Sequence, residues 1–175
     1  MNSLRASPRT GFALAALACA LLLGYGFYLQ YGQGLEPCPL CLLQRGFFFA
    51  VLAVCAIAAL HGPRGKIAIA YGLGTFLFAA GGAAAASRQV WLQHLPPDKV
   101  PACGPDLFFM LENFPLAQTI KRLFTSAGEC AKVDWTFLGL SIAEWSLGCF
   151  VALALYAAWV ALRASRRPAA AAASA

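Results

Sequence analysis

Residues 36–45 read Glu36-Pro37-Cys38-Pro39-Leu40-Cys41-Leu42-Leu43-Gln44-Arg45, and the next 18 residues, Gly46 to Pro63, carry no charge before Arg64. A helix crosses a hydrocarbon core of about 30 Å in roughly 17–25 residues. The run after Arg45 is therefore a membrane span, and the CxxC pair lies where the chain enters it. Three more charge-free runs flank it: 26 residues between Arg9 and Glu36, 21 between Lys66 and Arg88, and 18 between Glu144 and Arg163. The spans are expected near 11–29, 42–60, 67–86 and 145–162. All are helices, because lipid offers an open backbone no partner.

Composition agrees. The 175-residue chain is 61% hydrophobic and 11% charged, against roughly 45–50% and about 25% in soluble domains. So few charges could not cover a water-soluble globule. The length suits a single unit over residues 1–175. The fold class expected is an all-α membrane protein: a four-helix transmembrane bundle with a short outer CxxC loop (30–41) and a long outer loop (87–144).

Charge also orients the chain. Arg5, Arg9, Arg64, Lys66, Arg163, Arg166 and Arg167 all fall in the two termini and the short turn, with no acid among them. Every acidic residue falls in the other two segments. The positive-inside rule places the termini and the turn in the cytoplasm and both longer loops outside. It also accounts for the net charge of +6 without nucleic acid; the lipid bilayer is the partner implied. Ala18-Cys19-Ala20 loosely resembles a signal cleavage site, but the apolar run continues to Leu29, beyond a usual h-region, so the first span is expected to stay. Ser141-Ile142-Ala143-Glu144 reads as a capping box before the last span. Pro115–Phe124 is expected as a short helix on the outer membrane surface, and the Ala-rich tail 163–175 as a flexible end.

Four of the seven cysteines lie outside, Cys38, Cys41, Cys103 and Cys130, and three lie in spans, Cys19, Cys55 and Cys149. The span thiols are expected to be packing residues, since a thiol in lipid ionises poorly. An oxidising exterior favours disulfides among the outer four. Three pairings exist, and spacing favours Cys38–Cys41 with Cys103–Cys130. A zinc site would want a second close pair, which this spacing does not offer, so no metal is expected.

CxxC pairs recur in thiol–disulfide exchange, where a lowered thiol pKa activates attack. Cys41 falls near a helix N-terminus, which favours a thiolate. Arg45 follows one turn later, at a depth where an unemployed guanidinium is costly. It either stabilises that thiolate or holds a polar ligand; taken alone it would read as a snorkelling anchor. Cys103, in Pro101-Ala102-Cys103-Gly104-Pro105, and Cys130 would close a long exposed loop, the labile kind of disulfide. Two disulfides in series pass an electron pair by successive thiolate attacks. With no haem, Fe–S or dinucleotide motif in the sequence, a lipid-soluble quinone is the expected sink.

The chain resembles the DsbB family of bacterial inner-membrane thiol:quinone oxidoreductases. The resemblance covers nearly its whole length. It rests on Cys38-Pro39-Leu40-Cys41-Leu42-Leu43-Gln44-Arg45, on Arg88-Gln89-Val90-Trp91-Leu92-Gln93-His94, on Pro101-Ala102-Cys103-Gly104-Pro105, on Gly128-Glu129-Cys130-Ala131 and on Trp135-Thr136-Phe137-Leu138-Gly139-Leu140, in that order. The resemblance implies that Cys103 forms the mixed disulfide with a DsbA-type periplasmic thiol oxidase, and that Cys130 exchanges with Cys38. It further implies that Cys41 faces the membrane quinone pool, that Arg45 binds or activates the quinone, and that His94 borders it. Ubiquinone is the expected acceptor, with menaquinone as the alternative. Gln44 departs from a pattern in which an acidic residue can precede the arginine, and the proline of the CxxC is at another variable position. Both bear on the redox potential rather than on the reaction. Competing readings are a paralogue with a dedicated partner, a structural four-span scaffold with stapled loops, and a vitamin K epoxide reductase-like protein. In that last family the loop cysteines precede the CxxC, whereas here they follow it.

Overall fold

In the computed structural model, residues 8–101, 107–125 and 128–172 are described. Four helices are long and apolar enough to cross a membrane: α1 (Pro8–Gln33), α2 (Pro39–His61), α3 (Lys66–Gln93) and the final helix, whose apolar part is Ile142–Arg163. Two short helices, α4 (Leu107–Asn113) and α5 (Leu116–Thr125), lie in the long loop with a 3₁₀ turn at Gly128–Ala131. A hairpin of β1 (Thr136–Phe137) and β2 (Leu140–Ser141) then leads into α6 (Ile142–Ala172). The four-span bundle expected from the charge-free runs is the observed architecture.

The helix ends differ from those expectations for identifiable reasons. The helix α3 runs to Gln93 rather than stopping before the first charge: Arg88 stacks on Trp91, 4.2 Å from its ring centroid, while Gln89 is buried. The helix α2 starts at Pro39, since proline is at home in a first helical turn. The tail expected to be flexible continues α6 to Ala172, as alanine's high helix propensity allows. The short helix expected over Pro115–Phe124 forms as α5, one residue later at each end, with the Pro115 carbonyl accepting from the amides of Gln118 and Thr119. The capping box also forms: the Ser141 amide donates to Glu144 Oε2 at 2.7 Å, and the Glu144 amide to Ser141 Oγ at 3.3 Å. The hairpin, absent from the expected all-helical pattern, turns through Leu138 and Gly139, both at positive φ, as a two-residue type I′ turn requires.

The main interhelical packing runs α1 on α2, α2 on α3 and α3 on α6. The helix α3 presents a stripe of small residues, Gly72, Thr75, Ala79, Gly82 and Ala86, at alternating spacings of three and four. Without a hydrophobic drive between helices in lipid, such stripes let helices approach for van der Waals contact. Phe150 of α6 fills the space this leaves and stacks on Phe48 of α2 with centroids 4.0 Å apart. Large apolar side chains such as Leu14, Leu21, Leu73, Leu77 and Leu155 face outward, as a lipid-facing surface demands. A second, smaller cluster sits over the outer ends of α2 and α3. It buries Leu40, Leu92, Met110 and Cys130, with Cys38 and Phe114 packed against it. The long loop thus folds back onto the CxxC.

A Cβ at Gly82 would overlap the Phe150 ring. Gly82→Val should therefore lower stability by roughly 1–3 kcal/mol, the usual range for overpacking a core. Thermal unfolding of the detergent-solubilised protein reads this directly, and an unchanged midpoint would show that Phe150 can move aside.

Candidate redox site

The site forms where the first turn of α2 meets the last turns of α3. Cys38 is the N-cap of α2, and its sulfur accepts from the Cys41 amide at 3.4 Å, doing the work usually left to a serine or aspartate. Cys41 falls in the first turn, where the helix N-terminus favours negative charge. The two sulfurs are 3.0 Å apart, both as thiols. Cys130, fully buried on the 3₁₀ turn, belongs to the cluster against which Cys38 packs. Three of the four outer cysteines thus meet at one place. Cys103 lies outside the described residues, so the expected Cys103–Cys130 pairing does too.

The structure adds a residue that had no assigned role. Gln89 of α3 places Nε2 3.2 Å from Cys41 Sγ and 3.5 Å from Cys38 Sγ. Its Oε1 accepts from Gln44 Nε2 at 2.7 Å. Both amides are only 3% exposed. The signal was present in the sequence: Gln89 continues the stripe Ala79, Gly82, Ala86, and a polar residue on an inward face needs a polar partner.

Arg45 points away from the sulfurs, towards α1. Its Nη1 donates to Gln30 Oε1 and its Nη2 to the Gly26 carbonyl at 2.9 Å, and its guanidinium lies 5.2 Å from the Phe27 ring centroid. Its hydrogen bonds thus go to α1 and not to the Cys41 thiol. A cavity of about 500 Å³ opens beside it, lined by Cys38, Cys41, Gln44, Arg45 and Gln89 among mostly apolar walls. Those walls come from α1 (Leu22, Tyr25), α6 (Ile142, Trp145) and the hairpin (Phe137). The span cysteine Cys149 also reaches this wall, whereas Cys19 and Cys55 are buried in the bundle core.

His94 stands apart from the cavity. It caps the end of α3 with a 67% exposed side chain; Nδ1 is 2.9 Å from the Val90 carbonyl, and Nε2 is 4.0 Å from Glu144. It borders a shallow outer groove with Ser87 and Trp91 instead. Its neighbour Gln93 lines the main cavity and accepts from Ser141 Oγ at 2.8 Å, tying α3 to the capping box of α6.

In the reduced state the Cys38 thiol is pushed up from 9.0 to about 12, first by the hydrogen bond with Cys130 and then by burial, against a lowering contribution from Cys41. Below 9.0 folded and unfolded chains both hold this proton. Between 9.0 and about 12 only the folded chain does, so reduced-state stability falls as pH rises through that window. At about pH 8 Cys38 should alkylate well over tenfold more slowly than an ordinary thiol, because the smaller thiolate fraction outweighs the higher nucleophilicity of a more basic thiolate. Cys130→Ala should restore much of that rate, as read by peptide mass after timed alkylation; a variant as slow as the wild type would leave burial as the sole cause.

The sequence matches known proteins. A family model described as Disulfide bond formation protein DsbB matches residues 8–160. A disulfide bond formation protein B of Methylococcus capsulatus is 50% identical over 150 residues, covering 86% of this chain and 92% of that one. Proteins of the same description from Azoarcus sp. (47% over 160 residues, 91% and 96% covered) and Aromatoleum aromaticum (48% over 157 residues, 90% and 94% covered) match similarly. With four helices long and apolar enough to span a membrane, a thiol cluster at one end of the bundle and these matches, the chain belongs to the DsbB family of disulfide bond formation proteins.

Proposed function

We propose that the chain reoxidises the dithiol of a DsbA-type thioredoxin-fold protein in the bacterial periplasm and delivers the electron pair to a membrane quinone, ubiquinone or menaquinone. The observation that carries this reading is the apolar cavity of about 500 Å³ that holds Cys41 and Arg45 together at the membrane edge. Its mostly apolar walls suit a lipid-soluble ring, and Arg45 supplies a donor suited to a ring carbonyl. The distribution of Lys and Arg supports an inner-membrane topology with cytoplasmic termini.

The chemistry proceeds by exchange. A thiolate of the partner attacks the Cys103–Cys130 disulfide at Cys103, releasing Cys130. The partner's second thiol resolves that mixed disulfide, so the partner leaves oxidised and Cys103 and Cys130 are reduced. Cys130 then attacks Cys38, breaking Cys38–Cys41 and placing the electron pair on Cys41. Cys103 closes again on Cys130, which frees Cys38. The Cys38–Cys41 dithiol now holds two electrons and two protons, and a quinone in the cavity supplies the acceptor for both. Arg45 binds and orients that acceptor. The packing of Cys130 against Cys38 supports this order of attack.

The test combines the purified full chain, reduced DsbA-type protein and a soluble ubiquinone analogue, with quinone absorbance followed in time. Loss of absorbance that requires both Cys38 and Cys103, judged from their serine variants, is the expected result. Outer disulfides inert to the dithiol would instead leave a structural scaffold. Arg45→Met should reduce kcat/KM for the quinone by about ten- to a hundredfold, the worth of a hydrogen bond from a charged donor; unchanged kinetics would sink its assigned role.

A further inference from the structure

We propose that Gln89 is a catalytic residue, its Nε2–H group donating to the Cys41 thiolate released when Cys38 is attacked, and that Gln44 is the positioning residue that keeps this donor facing the sulfurs. This rests on the thiol:quinone reading for its step but not for its geometry. Breaking Cys38–Cys41 while Cys130–Cys38 forms leaves an electron pair on Cys41 Sγ. That anion sits in a mostly apolar pocket, where an unmatched charge is expensive. The Cys41 amide is engaged with Cys38 Sγ, and Arg45 is engaged with Gln30 and Gly26 on α1. Gln89 Nε2, 3.2 Å from Cys41 Sγ, supplies the side-chain donor. Hydrogen bonds to an ionised acceptor are about twice as strong as neutral ones.

An amide can present either end. With its oxygen turned towards the sulfurs, Gln89 would repel a thiolate. The 2.7 Å bond from Gln44 Nε2 to Gln89 Oε1 turns the NH₂ towards Cys38 and Cys41; the same oxygen also accepts from the Cys41 thiol at 3.6 Å, a contact that is lost once that thiol ionises. The competing account is that two buried amides merely join α2 to α3, a recurrent device between membrane helices. It predicts a stability effect and nothing at the thiols.

The experiment uses the full chain reduced in detergent, as wild type, Gln89→Leu, Gln44→Leu and Gln44→Glu. Two readouts report the thiolate without any quinone: the alkylation rate of Cys41 by iodoacetamide, located by peptide mass, and thiolate ultraviolet absorbance. Quinone turnover with thermal unfolding completes the set. Gln89→Leu should lower the alkylation rate and kcat by about tenfold, the loss of one charge-assisted bond, with KM for the quinone analogue within about twofold. Gln44→Leu should shift the same readouts in the same direction by less. Gln44→Glu should match Gln89→Leu, because a carboxylate accepts from the Gln89 NH₂ and turns its oxygen to the sulfurs. If Gln89→Leu fails to fold, the two Gln44 variants carry the test. Thiolate readouts unchanged in the variants, with only the melting temperature lowered, would overturn the proposal in favour of interhelical glue. Thiolate readouts that fall while even the wild type reduces no quinone would keep the role of Gln89 at the thiols and remove the quinone reading instead.

Discussion

The hydrogen bond between Gln44 and Gln89 satisfies a constraint that governs the whole end of the bundle that carries the CxxC. A polar group left unpaired in hydrocarbon costs several kcal/mol, so α2 and α3 must meet with these two amides in register. That register sets the first turn of α2, and hence both sulfurs, beside Gln89. One turn further along α3, Gln93 accepts from Ser141, whose hydroxyl is also half of the α6 capping box. The last two turns of α3 therefore fix the starts of both neighbouring spans. The redox pair and the wall of the cavity are placed by the same stretch of helix.

The inner half works by shape. Gly72, Ala79 and Gly82 bring α3 close to its neighbours, and the stacked Phe48 and Phe150 fill what remains. This core holds the Thr75 hydroxyl, 3.6 Å from Cys55 Sγ, and the Tyr156 hydroxyl, which is buried without a hydrogen-bond partner among the described residues. Tight apolar packing below and hydrogen-bonded amides above divide the bundle into a rigid base and a chemical end. The cavity appears where α1 and α6 part. They touch at the inner end through Phe12 and Tyr156, with centroids 6.2 Å apart, while Leu22 and Tyr25 face Ile142 and Trp145 across the cavity at the outer end.

Much of this was legible in the sequence. Charge-free runs locate spans because the bilayer imposes one length and one polarity on every crossing, and the Ser141–Glu144 spacing specifies a cap by local geometry alone. The CxxC and Arg45 could be singled out because each is costly where it stands. The partners of those residues were not legible. Gln30 and Gly26 lie on another helix from Arg45, and no local rule says which way a guanidinium turns. Gln89 was quoted as part of a motif, yet its task depends on Gln44, forty-five positions away. Ending α3 at Arg88 hid it further, because a single charge does not stop a helix whose buried face is paired. The hairpin escaped for a related reason: its two-residue strands are too short for any alternation to register.

The order of the sulfurs argues against a purely structural role for the outer cysteines. A loop staple needs only that its two cysteines reach each other, and it gains most when it closes a long loop. A CxxC closes almost none, so stapling gives no reason to place it at a helix N-terminus beside a buried amide donor. Nor does stapling explain why Cys130 is buried against Cys38 instead of standing out in the loop. Serial exchange explains both. Each attack needs the incoming sulfur next to one member of a disulfide and the leaving sulfur next to something that tolerates its charge. Cys130 touches Cys38, Cys38 lies 3.0 Å from Cys41, and Cys41 meets Gln89 at the wall of the cavity. Read in that direction, each sulfur has its next partner already in place.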